Sequence, residues 1–159
     1  MATLLKEAAL AWIGRKIEVQ GDEITVAMLQ QYVFASEDDH PAYVSASSAA
    51  DAGTEWVVPP MLYQAATRPF KPLSDYSPDG LVVENRPVIG SGQSLGGNLS
   101  VQWIRPLRIG DRLSGVKTLV SMKEKRGSNR NFVIVSWETE YRDQNGEVVI
   151  RESYEQICF

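Results

Sequence analysis

The sequence has one cysteine and one histidine, and these shortages exclude several kinds of site. Cys158 alone cannot form an internal disulfide or a cysteine-based zinc cluster, and His40 alone cannot supply a multi-histidine metal site. A basic excess is missing too, because the net charge is -4 at pH 7 and nucleic-acid binding needs a basic face. The apolar stretch at the start is interrupted by Lys6 and Glu7 and is too short to span a bilayer. We therefore expect a soluble, cytoplasmic protein without a metal or cofactor, which binds neither nucleic acid nor membrane.

What is present is typical of a single globular domain. The chain has 159 residues, of which 43% are hydrophobic and 23% are charged. A chain of this length can bury a sizeable core without disulfides or metals. Because no internal repeat or low-complexity tract divides it, we predict one domain over residues 1–159.

Helical patterns dominate the front of the chain. Apolar residues recur at helical spacing over residues 3–12, and Thr25 is a suitable N-cap for a second helix. Ser45 or the serine two positions later starts a further short turn. Pro60 opens an apolar segment that Pro69 ends, so only a helix of about two turns fits between them.

Strands dominate the back of the chain. After a brief strand at 17–19, longer ones are predicted from residue 95 onward, at 99–103, 113–123, 133–141 and 147–157. In the third of these four, alternation places one set of side chains on a single face, namely Val133, Val135, Trp137, Thr139 and Tyr141. The Asn145–Gly146 pair favours a tight hairpin before the last strand. One short helix followed by long antiparallel strands suggests an α+β fold, with a sheet wrapped around the helix.

Four segments together resemble a known family over nearly the whole chain. They are YVFASEDDHPAY and VVPPMLYQAATRP in the front, and GGNLSVQWIRPLRIGDRLSG and KEKRGSNRNFVIVSWETEYRDQNGEVV in the back. They are similar to the N-terminal-type half-domain of MaoC-like hydratases and dehydratases. The resemblance implies a hot-dog fold, in which a long antiparallel sheet wraps around a short central helix. It also implies an acyl thioester of CoA or a carrier protein as ligand, and a second MaoC-like hot-dog chain as partner.

The resemblance also implies which positions carry the chemistry. Active members hydrate an enoyl thioester, or run the reverse dehydration, with an aspartate and a histidine as acid and base. A backbone N–H at the start of the central helix stabilises the thioester oxygen. Asp38 matches the catalytic aspartate, His40 falls where the family often has asparagine, and Tyr43 occupies the position of the catalytic histidine. Pro60 replaces the glycine whose N–H is needed, and proline has no such hydrogen. The resemblance thus implies a non-catalytic subunit, with Asp38 and His40 as vestiges of the catalytic pair.

Two alternatives stay open. The chain is a self-sufficient homodimeric enoyl-CoA hydratase if Asp38 and His40 form a working acid/base pair. It is instead a non-enzymatic hot-dog protein if it only holds an acyl thioester. Under the leading interpretation, the second chain supplies the intact aspartate and histidine of a hydro-lyase.

Candidate substrate-binding residues fall in two regions. Tyr43, Pro60 and Met61 are expected at the edge of the groove, beside a short helix that leaves space for a long or bulky acyl group. The alternative is that residues 70–93 fold back and fill that space. Arg126 and Arg130 lie in a basic turn that can grip the phosphates of CoA, although a solvated basic loop is the commoner arrangement.

Overall fold

The structure is a computed structural model that describes residues 3–68, 71–76, 80 and 86–159. Part of the proline- and glycine-rich excursion predicted over residues 68–93 therefore lies outside the described residues. The helices are short, and the described part of the chain contains none that is long and apolar enough to cross a bilayer. The helices are α1 (Glu7–Leu10), α2 (Val26–Ser36), α3 (Pro41–Val44), α4 (Ala46–Asp51) and α5 (Leu62–Ala66), with a 3₁₀ turn at Leu73–Asp75. The strands are β1 (Lys16–Glu23), β2 (Ser94–Trp103), β3 (Arg112–Arg126), β4 (Asn131–Arg142) and β5 (Val148–Cys158).

The five strands form one antiparallel sheet in the order β1-β3-β4-β5-β2. The β4–β5 hairpin turns where the sequence predicts it, at Gly146, which has a φ of 83°. Asp143 fixes this turn because its Oδ1 accepts hydrogen bonds from the backbone N–H groups of Asn145 and Glu147. The predicted α+β fold with a sheet around a short helix is confirmed.

Side-chain caps mark the starts of three of the five described α-helices. The Thr25 hydroxyl accepts the N–H of Met28 at the start of α2, and the Ser45 hydroxyl accepts the N–H of Ser48 at the start of α4. The predicted helix over residues 3–12 is wrong in extent, since α1 covers only Glu7–Leu10. The reason is a competing contact: the Glu124 carboxylate accepts hydrogen bonds from the Thr3 hydroxyl and the Leu4 N–H, which holds the chain start against β3.

The inner face of the sheet carries two separate hydrophobic clusters. The first core cluster contains the buried face of α5, the start of β3 near Leu113 and the start of β5 near Ile150. The second core cluster contains Trp137 on β4 together with Ala9 of α1 and Ile89 of the segment before β2. The alternation predicted for β4 is confirmed, because its odd-numbered residues from Val133 to Tyr141 are all buried.

Helix α5 lies very close to the first strand. A Cβ atom at Gly21 would lie 2.9 Å from the Ala66 carbonyl oxygen and 2.7 Å from the Leu113 carbonyl oxygen. Only glycine allows this approach, which holds the end of α5 against β1 and β3. The helix is thus fixed over one half of the inner face.

Candidate functional site

The site is built from the short connection between α2 and α3. Helix α2 ends at Glu37, which adopts a left-handed conformation with a φ of 52°. The Asp38 N–H then donates to the Val33 carbonyl, and Asp38 Oδ1 accepts the N–H of His40 at 3.1 Å. The described hydrogen bond of the Asp38 carboxylate therefore stabilises its own loop.

His40 is the N-cap of helix α3. Its Nδ1 accepts the N–H of Ala42 at 3.2 Å, and Pro41 occupies the first helical position, where a missing N–H costs nothing. The imidazole ring lies beside the Tyr43 ring, with centroids 5.2 Å apart. Because Nδ1 accepts a hydrogen bond, the neutral ring carries its proton on Nε2. Sequence reasoning predicted no helix at this segment and missed the one that His40 starts.

Helix α3 is held against the segment that contains the two prolines. The Val57 N–H donates to the Ala42 carbonyl at 2.9 Å, and the Trp56 indole N–H donates to the Tyr43 carbonyl at 3.3 Å. These two bonds bring Tyr43 next to Pro60, although 17 positions separate them in the chain.

A cleft of about 440 Å³ opens at this junction. Four of the five residues proposed for the groove or the acid/base pair from the sequence line it, together with two neighbouring acids. The lining residues are Tyr32, Ser36, Glu37, Asp38, Asp39, Tyr43, Pro59, Pro60 and Met61. His40, Arg126 and Arg130 are not among them, so the structure divides the set predicted from the sequence.

Pro60 occupies the start of the central helix. The Pro59 carbonyl accepts the N–H of Leu62, the first residue of α5, at 3.0 Å. Pro60 itself has no N–H to offer to a thioester oxygen. The position that the resemblance assigns to an oxyanion donor therefore lines the cleft without a backbone donor.

Arg126 and Arg130 lie at the opposite end of β3 and β4. The start of β3 is the end nearer the cleft, and there the Ile24 N–H donates to the Asp111 carbonyl. The other end of β3 lies against the chain start, because Glu124 accepts a hydrogen bond from the Thr3 hydroxyl. Arg126 is exposed there, and the Arg130 guanidinium lies 3.6 Å from the centroid of the Phe159 ring. The two arginines belong to a separate surface from the cleft.

Residues 11–152 match the profile of a family described as FAS1-like, dehydratase domain region. This chain belongs to that family. A related protein of Streptomyces griseus, called UPF0336 protein, is 29% identical over 131 residues, which are 80% of this chain and 79% of the relative. The family match over residues 11–152 includes every residue that lines the cleft and four of the five strands, so the FAS1-like dehydratase assignment applies to the site as well as to the fold.

Solved structures with the same fold include a MaoC-like protein and chains of two complexes. A MaoC-like dehydratase from Rhodospirillum rubrum has a TM-score of 0.63 at 17% identity, with 92% of each chain covered. The ChsH1-ChsH2 complex from Mycobacterium tuberculosis has a TM-score of 0.68 at 18% identity, covering 90% of this chain and 83% of that chain. The C-terminally truncated HadBC (3R-hydroxyacyl-ACP dehydratase) complex from the same organism has a TM-score of 0.61 at 18% identity, covering 90% and 96%. These likenesses confirm the predicted hot-dog fold.

Sequence reasoning missed a polar group on the inner face of the sheet. The Tyr63 hydroxyl of α5 donates to Glu152 Oε2 on β5 at 2.6 Å, and burial raises the pKa of this tyrosine above its ordinary value. Burial likewise lowers the pKa of Lys117 on β3. The signal was available in the alternation: Glu152 lies in phase with Ile150 and Tyr154, on the face that the FAS1-like dehydratase chain turns inward.

Proposed function

We propose that this chain is the substrate-binding, non-catalytic subunit of a heteromeric enoyl-thioester hydratase or 3-hydroxyacyl-thioester dehydratase. The observation that carries the proposal is the make-up of the cleft. It contains Asp38, bonded to its own loop, Tyr43 in place of an imidazole, and Pro60 in place of an amide hydrogen. The family supplies the reaction class, and the cleft supplies the reason why a second chain is needed.

The reaction requires groups that the cleft does not combine. Adding water to an enoyl thioester needs a base for the water, an acid for the α-carbon and a donor for the thioester oxygen. Loss of one such donor alone lowers the rate by about a hundred- to a thousand-fold. His40 does not line the cleft, and its Nδ1 is engaged by the Ala42 N–H. We infer that the acid, the base and the donor all come from the partner chain.

The free edge of the sheet supports the presence of a partner. Strand β2 is at the edge, and its register with β5 pairs Leu99 with Tyr154, Val101 with the inward-facing Glu152, and Trp103 with Ile150. These apolar residues therefore face inward, yet Leu99 is 37% and Trp103 39% exposed. An edge strand with uncovered apolar side chains is suited to pairing with another sheet. We propose that a second hot-dog chain covers it, as expected of proteins that resemble the ChsH1-ChsH2 and HadBC complexes.

The short central helix supports binding of a long or bulky acyl group. Helix α5 has five residues and covers only the first core cluster. Beyond Ala66, the inner face carries Lys117, Thr139 and Glu152. In the described part of the chain, Tyr63 is the only residue of α5 that makes a hydrogen bond to any of these three. We propose that the distal part of the acyl chain extends from the partner's active site over this part of the sheet.

Arg126 and Arg130 are proposed as contacts for the phosphates of CoA or of a carrier-protein arm, since three carboxylates near the cleft disfavour an anion there.

Co-expression with a MaoC-like chain that retains the aspartate and histidine tests the proposal. We expect native mass spectrometry to show a heteromeric complex, and we expect the complex, but not this chain alone, to hydrate crotonyl-CoA. Asp38→Asn in this subunit should leave the turnover of the complex within about twofold, as should the control Asp39→Asn in the same cleft. Hydration by the purified chain alone, lost on Asp38→Asn or His40→Ala but kept in Asp39→Asn, would contradict the proposal and support the homodimeric enzyme.

A further inference from the structure

A row of polar residues crosses the inner face of the sheet. Strand register places Lys117 of β3 opposite Thr139 of β4, and Thr139 opposite Glu152 of β5. The row is flanked by apolar residues on the two edge strands, since Ile17 pairs with Lys117 and Val101 with Glu152. We call Lys117, Thr139 and Glu152 the polar row.

The polar row separates the two core clusters. On β4, Tyr141 on one side of Thr139 belongs to the first core cluster, and Trp137 on the other side belongs to the second. Thr139 and Glu152 are 4% and 9% exposed, so the row is inside the protein. Burying polar groups between two apolar clusters is costly unless they find partners.

Glu152 has a partner within the fold. The Tyr63 hydroxyl donates to it at 2.6 Å, and the raised pKa of this tyrosine, caused first by burial, keeps the hydroxyl protonated as a donor. The acceptor end of the polar row is therefore satisfied.

The other end of the row has donors in excess. Lys117 Nζ lies 4.4 Å from the centroid of the Trp137 ring, and among the described residues its ammonium has no hydrogen-bond acceptor. The Trp137 indole N–H and the Thr139 hydroxyl are both buried; the indole N–H has no hydrogen-bond partner in the described structure, and the hydroxyl lies near the Tyr141 phenol. Both an ammonium and an indole N–H donate only. What this end of the row lacks is therefore an acceptor, and a ligand oxygen would supply one.

The charges around Lys117 favour the same kind of ligand. Burial is the main reason for its lowered pKa, with the positive charge of Arg68 acting in the same direction and the Glu152 carboxylate opposing it. Burial strengthens the attraction between an ammonium and an acceptor oxygen, because water no longer competes for either. Lys117 is only partly buried by surface area, so a ligand can reach it.

We propose that Lys117, Trp137 and Thr139 form a polar subsite that binds an oxygen atom, a keto or hydroxyl oxygen, in the distal part of the acyl chain. The inference rests on the proposed function, because it takes the acyl chain to extend over the inner face beyond α5. It goes further in naming the substrate class: acyl thioesters with a remote oxygen substituent, in preference to plain hydrocarbon chains. Lys117 and Trp137 are the residues that determine this specificity.

Isothermal titration calorimetry with matched thioesters tests the proposal. The probes are decanoyl-CoA and a set of oxodecanoyl-CoA thioesters, in which the keto carbon moves one position at a time from the middle of the chain to its end. We expect at least one keto isomer to bind about tenfold more tightly than decanoyl-CoA, since a hydrogen bond to a charged donor is worth at least that factor. Lys117→Met, which removes the ammonium and keeps an unbranched side chain one atom shorter, and Trp137→Phe, which removes the N–H and keeps an aromatic ring, should each abolish most of the preference.

The control is Lys123→Met, an exposed lysine on the same strand, which should keep the full preference. The affinity of Lys123→Met for decanoyl-CoA should change less than twofold, and circular dichroism spectra that match the wild type in all three variants separate loss of a specific contact from loss of structure. Equal affinities for keto and plain chains overturn the polar subsite and leave the proposed function standing, as does a preference that survives both Lys117→Met and Trp137→Phe. Failure of the wild-type chain, alone and with its partner, to bind any of the thioesters overturns both.

Discussion

His40 shows how a single residue of the predicted site has a structural role in the described contacts. It starts α3 by accepting the Ala42 N–H, the role that asparagine performs well at an N-cap. We predict that His40→Ala lowers the free energy of unfolding by about 1 kcal/mol, whereas His40→Asn changes it by less than about 0.5 kcal/mol. Urea denaturation followed by circular dichroism measures both. A catalytic role for His40 would predict a different result: both variants would lose activity equally, and the free energy of unfolding would change little.

Tyr141 gives a pH dependence with a definite sign. Burial raises the pKa of this tyrosine to about 12 from an ordinary value of 10.0. The folded chain therefore holds the phenolic proton at a pH where the unfolded chain has lost it, and the stabilisation is complete below pH 10 and lost as pH rises toward 12. We predict that Tyr141 contributes a fall of about 2–3 kcal/mol in the free energy of unfolding over this interval.

The comparison of wild type with Tyr141→Phe isolates this contribution. Lys117, with its lowered pKa, acts in the opposite direction near pH 10, and it does so in both proteins. The difference between the two curves of unfolding free energy against pH should be flat below pH 10 and should change above it. Parallel curves up to pH 12 would show that the buried hydroxyl is not the cause.

At the scale of elements, one arginine joins the β2–β3 connection to the β4–β5 hairpin. Arg105 donates to both carboxylate oxygens of Asp111, at 2.7 and 2.9 Å, and to Asp143 at 2.9 Å. The guanidinium holds the pKa of Asp143 below its ordinary value. We predict that Arg105→Met costs about 3 kcal/mol in unfolding free energy, because it leaves the buried Asp111 carboxylate without its charge partner. Arg112→Met is the matched control: its ion pair with Glu23 is exposed, so the loss should stay below about 0.5 kcal/mol.

How much of these elements was predictable depends on whether the signal is local. The N-cap at Thr25, the Asn145–Gly146 turn and the alternation of β4 follow from neighbouring residues, and the sequence predicts all three. The late start of α1 at Glu7 was not predictable, because it depends on Glu124, some 120 positions away from the residues it holds. The resemblance placed Tyr43 and Pro60 at one groove, but the polar row required the register of three strands. Register is set by the bulges and turns of the folded sheet, which no short stretch of sequence encodes.

At the scale of the whole molecule, we expect the exposed inner edge of β2 to determine association. Trp103 and Gln102 are adjacent and both exposed, but they point to opposite faces of the strand. We predict that Trp103→Arg prevents formation of the heteromeric complex, whereas Gln102→Arg on the outer face leaves it intact. Size-exclusion chromatography with light scattering measures the change in mass. Equal behaviour of the two variants would show that the inner face of β2 is not the interface.

The same edge has a consequence for how the protein is made. Leu99 and Trp103 are partly open to water in the single chain, and under the proposed function another sheet covers them; an uncovered edge strand is also a template for aggregation. Each copy synthesised without a companion is therefore a candidate for precipitation or degradation. Balanced translation of the two polypeptides would protect it, and recombinant yield should rise when both are produced in the same cell.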